Sequence, residues 1–225
     1  LAADGTQVAS HDVSAIQFSD PQSMVFAPSG DQTDDPVMLS LFVADPGTST
    51  SRRGHVIELA WTTPTALVRE DAGILAATAA TLVRVTPTSA YSPPSPDPSG
   101  VGYDPVSGRL IISDAEVEEM PIYAGKNIFE TSLTGTLLRS WTTLPWDIEP
   151  TGTAPNANNR HLFVSNDDAD RVWDVNPGPD NLLGTSDDTR TSFKTNGFGC
   201  GDPEGVAYDR IGNRLFIADG VNEEI

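Results

Sequence analysis

Apolar positions in this chain fall in short runs rich in β-branched and aromatic residues, bounded by Asp, Pro, Gly and Asn. That pattern predicts strands joined by tight turns. "GVAY" and "RLFIAD" near the C-terminus form one such strand–turn–strand unit, with Gly and Asn in the turn. Close variants of it occur at Asp20 to Asp45, Asp97 to Asp114, Glu149 to Asn166 and Asp202 to Asp219. In the last three units the opening acid and the closing Asp or Asn are 17 residues apart; in the first the distance is 25, with an acidic insertion around Asp31 to Asp35. The opening acids of the last three units lie 52 and 53 residues apart, whereas the first interval is 77. Third strands are predicted at 54–61, 127–133 and 171–176, and fourth strands at 137–143 and 189–195. Four antiparallel strands recurring about every 50 residues predict an all-β fold, a β-propeller of four-stranded blades. A β-sandwich does not require so regular a repeat.

About four blade units are visible, and the chain reads as a single propeller domain over 1–225. Residues 64–91 form the main irregular insertion, within which "REDAGILAATAATL" reads as a short helix. "HDVSAIQF" (residues 11–18) stands where a fourth strand precedes the other Asp-Pro openings, so it could complete the blade that holds the C-terminus. Ile225 aligns with Val172, the start of a third strand. A ring closed in this way would carry a stub, so the expectation is part of a five- or six-bladed ring, incomplete at the C-terminus.

Charge narrows the function classes. The chain has 32 acidic and 13 basic residues, a net charge of −19, and only two lysines, Lys126 and Lys194. Phosphate backbones and anionic lipid surfaces would repel it, so no nucleic-acid partner is expected. The most apolar stretch, Gly73 to Val85, is broken by Thr78, Thr81 and Arg84 and falls short of the roughly 18–20 residues that span a bilayer, so no membrane insertion is expected. Asp outnumbers Glu by 22 to 10. Short carboxylates suit turns and oxygen-only cation sites, and a high Asp content also fits adaptation to salt. Cys200 is alone, which excludes an internal disulfide and a Cys-based zinc site. No signal peptide is visible, so a secreted or periplasmic, bacterial-type protein would be present here as its mature chain.

Candidate chemistry concentrates in carboxylates. In a propeller blade the first strand starts, and the second ends, on one face of the disc. Asp20, Asp97, Glu149 and Asp202 therefore share a face with Asp45, Asp114, Asn166 and Asp219. Such a ring either binds a cation or caps backbone N–H groups at the strand ends. "NPGPDNLLGTSDDT" (Asn176 to Thr189) places Asp180, Asp187 and Asp188 around Gly178 and Gly184, a set able to gather oxygen ligands around Ca²⁺. The other reading is an acidic hairpin loop; the spacing is not that of an EF-hand. His11, His55 and His161 are scattered, and no H-E-x-x-H, G-x-S-x-G or phosphate-binding loop occurs. Cys200 has no basic neighbour in sequence to activate it.

The D/E-P-x-G-x-x-Y-D…G-x-L-x-I-x-D pattern resembles the NHL and gluconolactonase-like six-bladed propellers. "PEGVAYDRIGNRLFIADGVNEEI" also looks like a blade of the β-propeller phytases and of phytase-esterase-like secreted proteins. In the lactonase-like and phytase-like families a Glu before the strand's small residue is a metal ligand at the channel mouth. By position the resemblance gives that role to Glu204, whose counterparts are Gln22, Ser99 and Thr151; a solvated rim residue is the alternative. Ser99 and Thr151 depart from the lactonase pattern, and no Lys or Arg stands ready for phosphate. The Asn176–Thr189 segment resembles G-P-D-G-x-x-G-T-x-D-D calcium loops of secreted bacterial proteins, with Asn181 at the usual Gly. The expected function is a secreted calcium-binding propeller that serves as a binding or scaffold module for an extracellular ligand or small molecule. The other reading is a metal-dependent hydrolase of a lactone or phosphoester at the channel mouth.

Overall fold

The computed structural model describes residues 13–31, 39–48, 53–61, 80–221 and 225. Its first sheet contains β1 (Ser23–Pro28), β2 (Leu39–Asp45), β3 (His55–Trp61) and β4 (Ala80–Thr86). The second contains β5 (Pro98–Asp104), β6 (Arg109–Asp114), β7 (Ile128–Ser132) and β8 (Leu137–Trp141). The third contains β9 (Pro150–Pro155), β10 (Leu162–Asn166), β11 (Arg171–Asn176) and β12 (Thr189–Lys194). A fourth sheet holds β13 (Pro203–Asp209) and β14 (Arg214–Asp219). All pairings are antiparallel and each sheet runs in chain order, so the described residues make three complete propeller blades and the inner half of another. Among the described residues no helix is long and apolar enough to cross a membrane.

The turn chemistry explains why the unit repeats. The inner hairpins need a residue that can cap free N–H groups, then one that tolerates a left-handed backbone. In the second blade the N–H of Val106 donates to Asp104 Oδ1 (2.9 Å), and Gly108 has φ +69°. In the third, Asn158 N–H donates to Asn156 Oδ1 (2.9 Å) and Arg160 takes the positive φ, +68°. In the last, Ile211 N–H donates to Asp209 Oδ1 (2.9 Å) and Asn213 has φ +50°.

Innermost strands β1, β5, β9 and β13 pack side by side in that order. The repeat's small residue permits this approach. A Cβ at Gly152 would lie 2.6 Å from the Glu204 carbonyl oxygen, and one at Gly100 would lie 2.8 Å from Gly152 Cα. In the first blade Ser23 takes the equivalent place, and its Oγ accepts the N–H of Val101 (2.7 Å). Stacking also explains why "RLIISD" lacks a polar face. Leu110 and Ile112 bury in the core between the first and second blades, while Ile111 points into the core between the second and third. Each such side chain contributes about 1.5–3 kcal/mol of burial.

Three sequence expectations need amendment. Residues 14–16 form one 3-10 turn, and Ile16 and Phe18 pack on the outer face of the first blade beside Leu41, Val43, Ile57 and Leu59. Over residues 13–18 there is thus no strand to close a ring; residues 11 and 12 lie outside the described residues. The first blade has its fourth strand, β4, inside the stretch read as an irregular insertion. Most of the predicted helix in that insertion lies outside the described residues, but its last three residues, Ala80, Thr81 and Leu82, belong to β4. There the alternating "ATLVRVT" pairs with β3, and cross-strand pairing overrides the helix propensity of the Ala-rich run.

Candidate metal site at the channel mouth

The closing residue of each blade has a structural task. Asp45 accepts the N–H groups of Ser19 (2.8 Å), Asp20 (3.1 Å) and Gly47 (2.9 Å). Asp114 Oδ2 accepts Ser95 Oγ–H (2.7 Å) and the N–H of Asp97 (3.0 Å). These bonds pin the start of the inner strand to the end of its neighbour. In the third blade an Asn stands here and supplies a donor: Asn166 Nδ2 donates to Asp147 Oδ1 (2.5 Å), and Asp147 in turn accepts the N–H of Glu149 (3.1 Å). The cap reading of the closing residues therefore holds in these three blades. It has an electrostatic consequence: burial pushes the carboxyl of Asp114 up to about 8 and that of Asp147 up to about 7, against the pull of their hydrogen bonds.

The opening acids do something else. Asp20, Asp97 and Glu149 line one cavity of about 390 Å³, together with Gln22, Ser99, Thr151 and Glu204, the residues two positions further on. These positions converge because the inner strands start side by side at one end of the stack. Loops that leave β6 and β10 add Glu116, Glu119 and Asp167 to the wall. Among the described residues the lining thus holds carboxylates from every blade and no Lys or Arg.

Two overlapping triads bring carboxylate oxygens within 4.8 Å of one another: Glu149, Asp167 and Asp168, and Asp167, Asp202 and Glu204. Asp167 is common to both. Crowding of like charge in a partly dry place raises the affinity of these groups for protons. Burial, then Asp167 and Asp202, push Glu204 up to about 7. Burial, then Glu116 and Asp20, push Asp97 up to about 6. Glu149 is raised by burial and by Asp168 and Asp167, and Asp167 by burial and by Asp168 and Asp202. Behind the triads Asp147 is buried, interacts with the charge of Asp167, and keeps Oδ2 without a hydrogen-bond partner. Such a site can exchange its protons for a hard cation at neutral pH.

Of the sequence-predicted site residues, Glu204 lies in this cluster. Asp180, Asp187 and Asp188 share a separate loop between β11 and β12, but their carboxylate oxygens do not gather within 4.8 Å of one another as those of the mouth do. There Asp180 Oδ1 accepts Leu182 N–H (2.8 Å), Asp188 Oδ2 accepts Gly184 N–H (2.7 Å), and Thr185 Oγ1 donates to Asp187 Oδ1 (2.5 Å). Gly178 and Gly184 both have positive φ, +67° and +77°. Glu116, Asp167 and Asp168 escape a reading by repeats, because "AEVEE" and "NDDAD" do not align. Their signal is position: each follows a closing Asp or Asn that ends on the mouth face. His55 and His161 are satisfied structurally, through Arg53 O (2.7 Å) and Asp174 Oδ1 (2.7 Å). Burial raises the thiol of Cys200, which does not suit it to nucleophilic work.

No family model matches this sequence, and no curated protein matches it. Solved structures similar to it include a chain of a nidogen/laminin complex (18% identity, TM-score 0.43, 80% of this chain and 51% of that one). Another is the hydrazine synthase of Kuenenia stuttgartiensis (17% identity, TM-score 0.37, 54% of this chain and 28% of that one). The chain thus spans about half or less of the length of these two matches. Neither match supports the resemblance to NHL, gluconolactonase-like or phytase-like proteins.

Proposed function

We propose that the chain is a binding or scaffold propeller whose channel mouth takes up a divalent cation, calcium first, on Asp167 with Glu149, Asp168, Asp202 and Glu204. The observation that carries this reading is the pair of carboxylate triads sharing Asp167 in a cavity whose described lining holds no basic residue. Calcium accepts 6–8 oxygen ligands at flexible geometry, which suits carboxylates drawn from two neighbouring blades and their loops. Bound there, it would link the third blade to the fourth. Extracellular modules bind calcium at about 10⁻⁴–10⁻³ M, so a secreted or periplasmic location accompanies the proposal. Titration calorimetry on chelator-treated protein tests it. Asp167→Asn, which touches both triads, is expected to weaken calcium binding at least tenfold, whereas equal binding by wild type and variant would refute the assignment.

A second reading rests on the room above the triads. A cavity of about 390 Å³ can hold a small substrate beside a metal, and Glu204, raised to about 7, is poised to exchange a proton there. In this reading the protein is a metal-dependent hydrolase. With no Lys or Arg among the described residues of the lining, a lactone suits the site better than a phosphoester. Calcium-dependent lactone turnover lost in Glu204→Gln would support it, and calcium binding with no turnover would leave the binding-module reading.

The ring itself we propose to continue to five or six blades. Among the described residues Gly205 meets only Ala218 Cβ at 4.0 Å, where Gly100 and Gly152 meet the next blade's backbone. Met24 and Phe26 at the other end of the stack are 70% and 52% exposed.

A further inference from the structure

A second cavity, of about 250 Å³, is lined by residues of the second and third blades and shares none of them with the mouth. Trp141 and Trp146 form part of its wall, and Lys126 and Arg190 also line it. The cations are unexpected. In a chain of net charge −19 with two lysines, carboxylate partners are abundant. Among the described residues the arginine–carboxylate pairs are Arg84–Glu58, Arg109–Glu130, Arg139–Glu130 and Arg214–Asp209, and neither Lys126 nor Arg190 takes part in one. Arg190 instead lies over the Trp146 ring, 5.1 Å from its centroid, and Trp146 is held edge-on to Trp173 at 5.1 Å. Stacking keeps the guanidinium in place while leaving its N–H donors available. Asp188 also faces the cavity; the Gly184 N–H donates to its Oδ2, the Thr185 backbone and hydroxyl also bond it, and its two oxygens have lone pairs for a further donor.

We propose that this interblade cavity binds a small hydroxylated carboxylate, of the acidic-sugar (uronate) class. Lys126 and Arg190 receive the carboxylate through charge-assisted hydrogen bonds. Trp146, with the carbon atoms of the largely covered Trp141 behind it, supplies the apolar part of the wall beside the C–H groups of a pyranose ring. Asp188 accepts a hydroxyl, a role that a ligand without donors would leave unfilled and would meet as repulsion. The volume is below the roughly 300–1,000 Å³ typical of drug-sized ligands, which sets the ligand at one ring. The proposal is independent of the mouth.

Tryptophan fluorescence tests it, because three of the four Trp residues lie in or against this cavity. D-glucuronate, D-glucose and benzoate are titrated into the whole chain at low ionic strength, with calcium and with chelator. Saturable change with glucuronate is expected, with glucose and benzoate each at least tenfold weaker. Lys126→Gln and Arg190→Gln should each weaken glucuronate at least about tenfold, the loss of one charge-assisted bond. Lys126→Arg should retain most of the affinity, and an unchanged melting temperature shows that each variant is folded. No saturable response to glucuronate, an equal response to glucose, or a response that survives the Lys126→Gln/Arg190→Gln pair would overturn the proposal.

Discussion

Asp114 shows how a capping residue becomes a pH sensor of stability. Its carboxyl is buried and raised from 3.8 to about 8, first by burial and then by Asp97 and Glu118, against the pull of its hydrogen bonds. A carboxyl raised in the folded state holds a proton that the unfolded chain has already released. The stability this confers is full below pH 3.8 and is lost as pH rises through about 8. Asp147, Glu204 and Asp97, raised to about 7, 7 and 6, act in the same direction. In chelator, the melting temperature should therefore fall steadily from pH 5 to pH 8, as scanning calorimetry would show. Asp114→Asn should flatten that fall, because the amide does not titrate while its Oδ1 can still accept the Asp97 N–H. Asp114→Ala, which orphans Ser95 Oγ and the Asp97 N–H, should cost about 1–3 kcal/mol at pH 5. A flat profile in the wild type would contradict the burial of these charges. At the mouth, Glu204→Gln removes one of several repelling carboxylates. It should leave the metal-free protein as stable as wild type or slightly more so, while the gain from calcium shrinks.

Among the elements, the inner strands decide how blades stack. Gly152→Ala forces a methyl to within 2.6 Å of the Glu204 carbonyl oxygen and 3.0 Å of Val206 N, both backbone atoms that cannot step aside alone. Overpacking of this kind costs about 1–3 kcal/mol, which lowers the melting temperature by roughly 2–4 °C per kcal/mol in a chain of this size. Gly205→Ala, with its nearest atom at 4.0 Å, should be neutral or mildly stabilising. Equal losses at the two positions would contradict the stacking. The blades are legible in the sequence because strand and turn chemistry are local: Asp104, Asn156 and Asp209 each mark the same hairpin. Strand β4 is hidden because its Ala80–Thr86 run follows Ala-rich sequence with helical character, and only pairing with β3 makes it a strand. The loop of Asp180, Asp187 and Asp188 is legible as a turn; its affinity for calcium is a matter for measurement. Asp188→Ala should remove a calcium-dependent rise in melting temperature that survives Asp167→Asn. Insensitivity to both changes would leave the loop as a hydrogen-bonded turn.

For the molecule as a whole, charge and curvature matter more than any one strand. Stacking blades around an axis gathers the starts of β1, β5, β9 and β13 at one mouth, so residues 52 to 77 apart in sequence meet. The family resemblance, carried over by repeat position, makes Glu204 a candidate, and repeat position alone does not. It gives no sign of Asp167 and Asp168, because their place depends on how a loop leaves β10 over the mouth. Apolar faces at both ends of the stack, marked by Met24, Phe26, Phe198 and Phe216, should bind a hydrophobic dye strongly in the 1–225 chain. A weak dye signal would speak against further blades. The mouth is the centre of the account, and calcium titration of chelator-treated protein at pH 7 by calorimetry tests it most directly. Saturable binding is expected, weakened at least tenfold in both Asp167→Asn and Glu204→Gln. Absence of calcium binding, or binding indifferent to both substitutions, would contradict it.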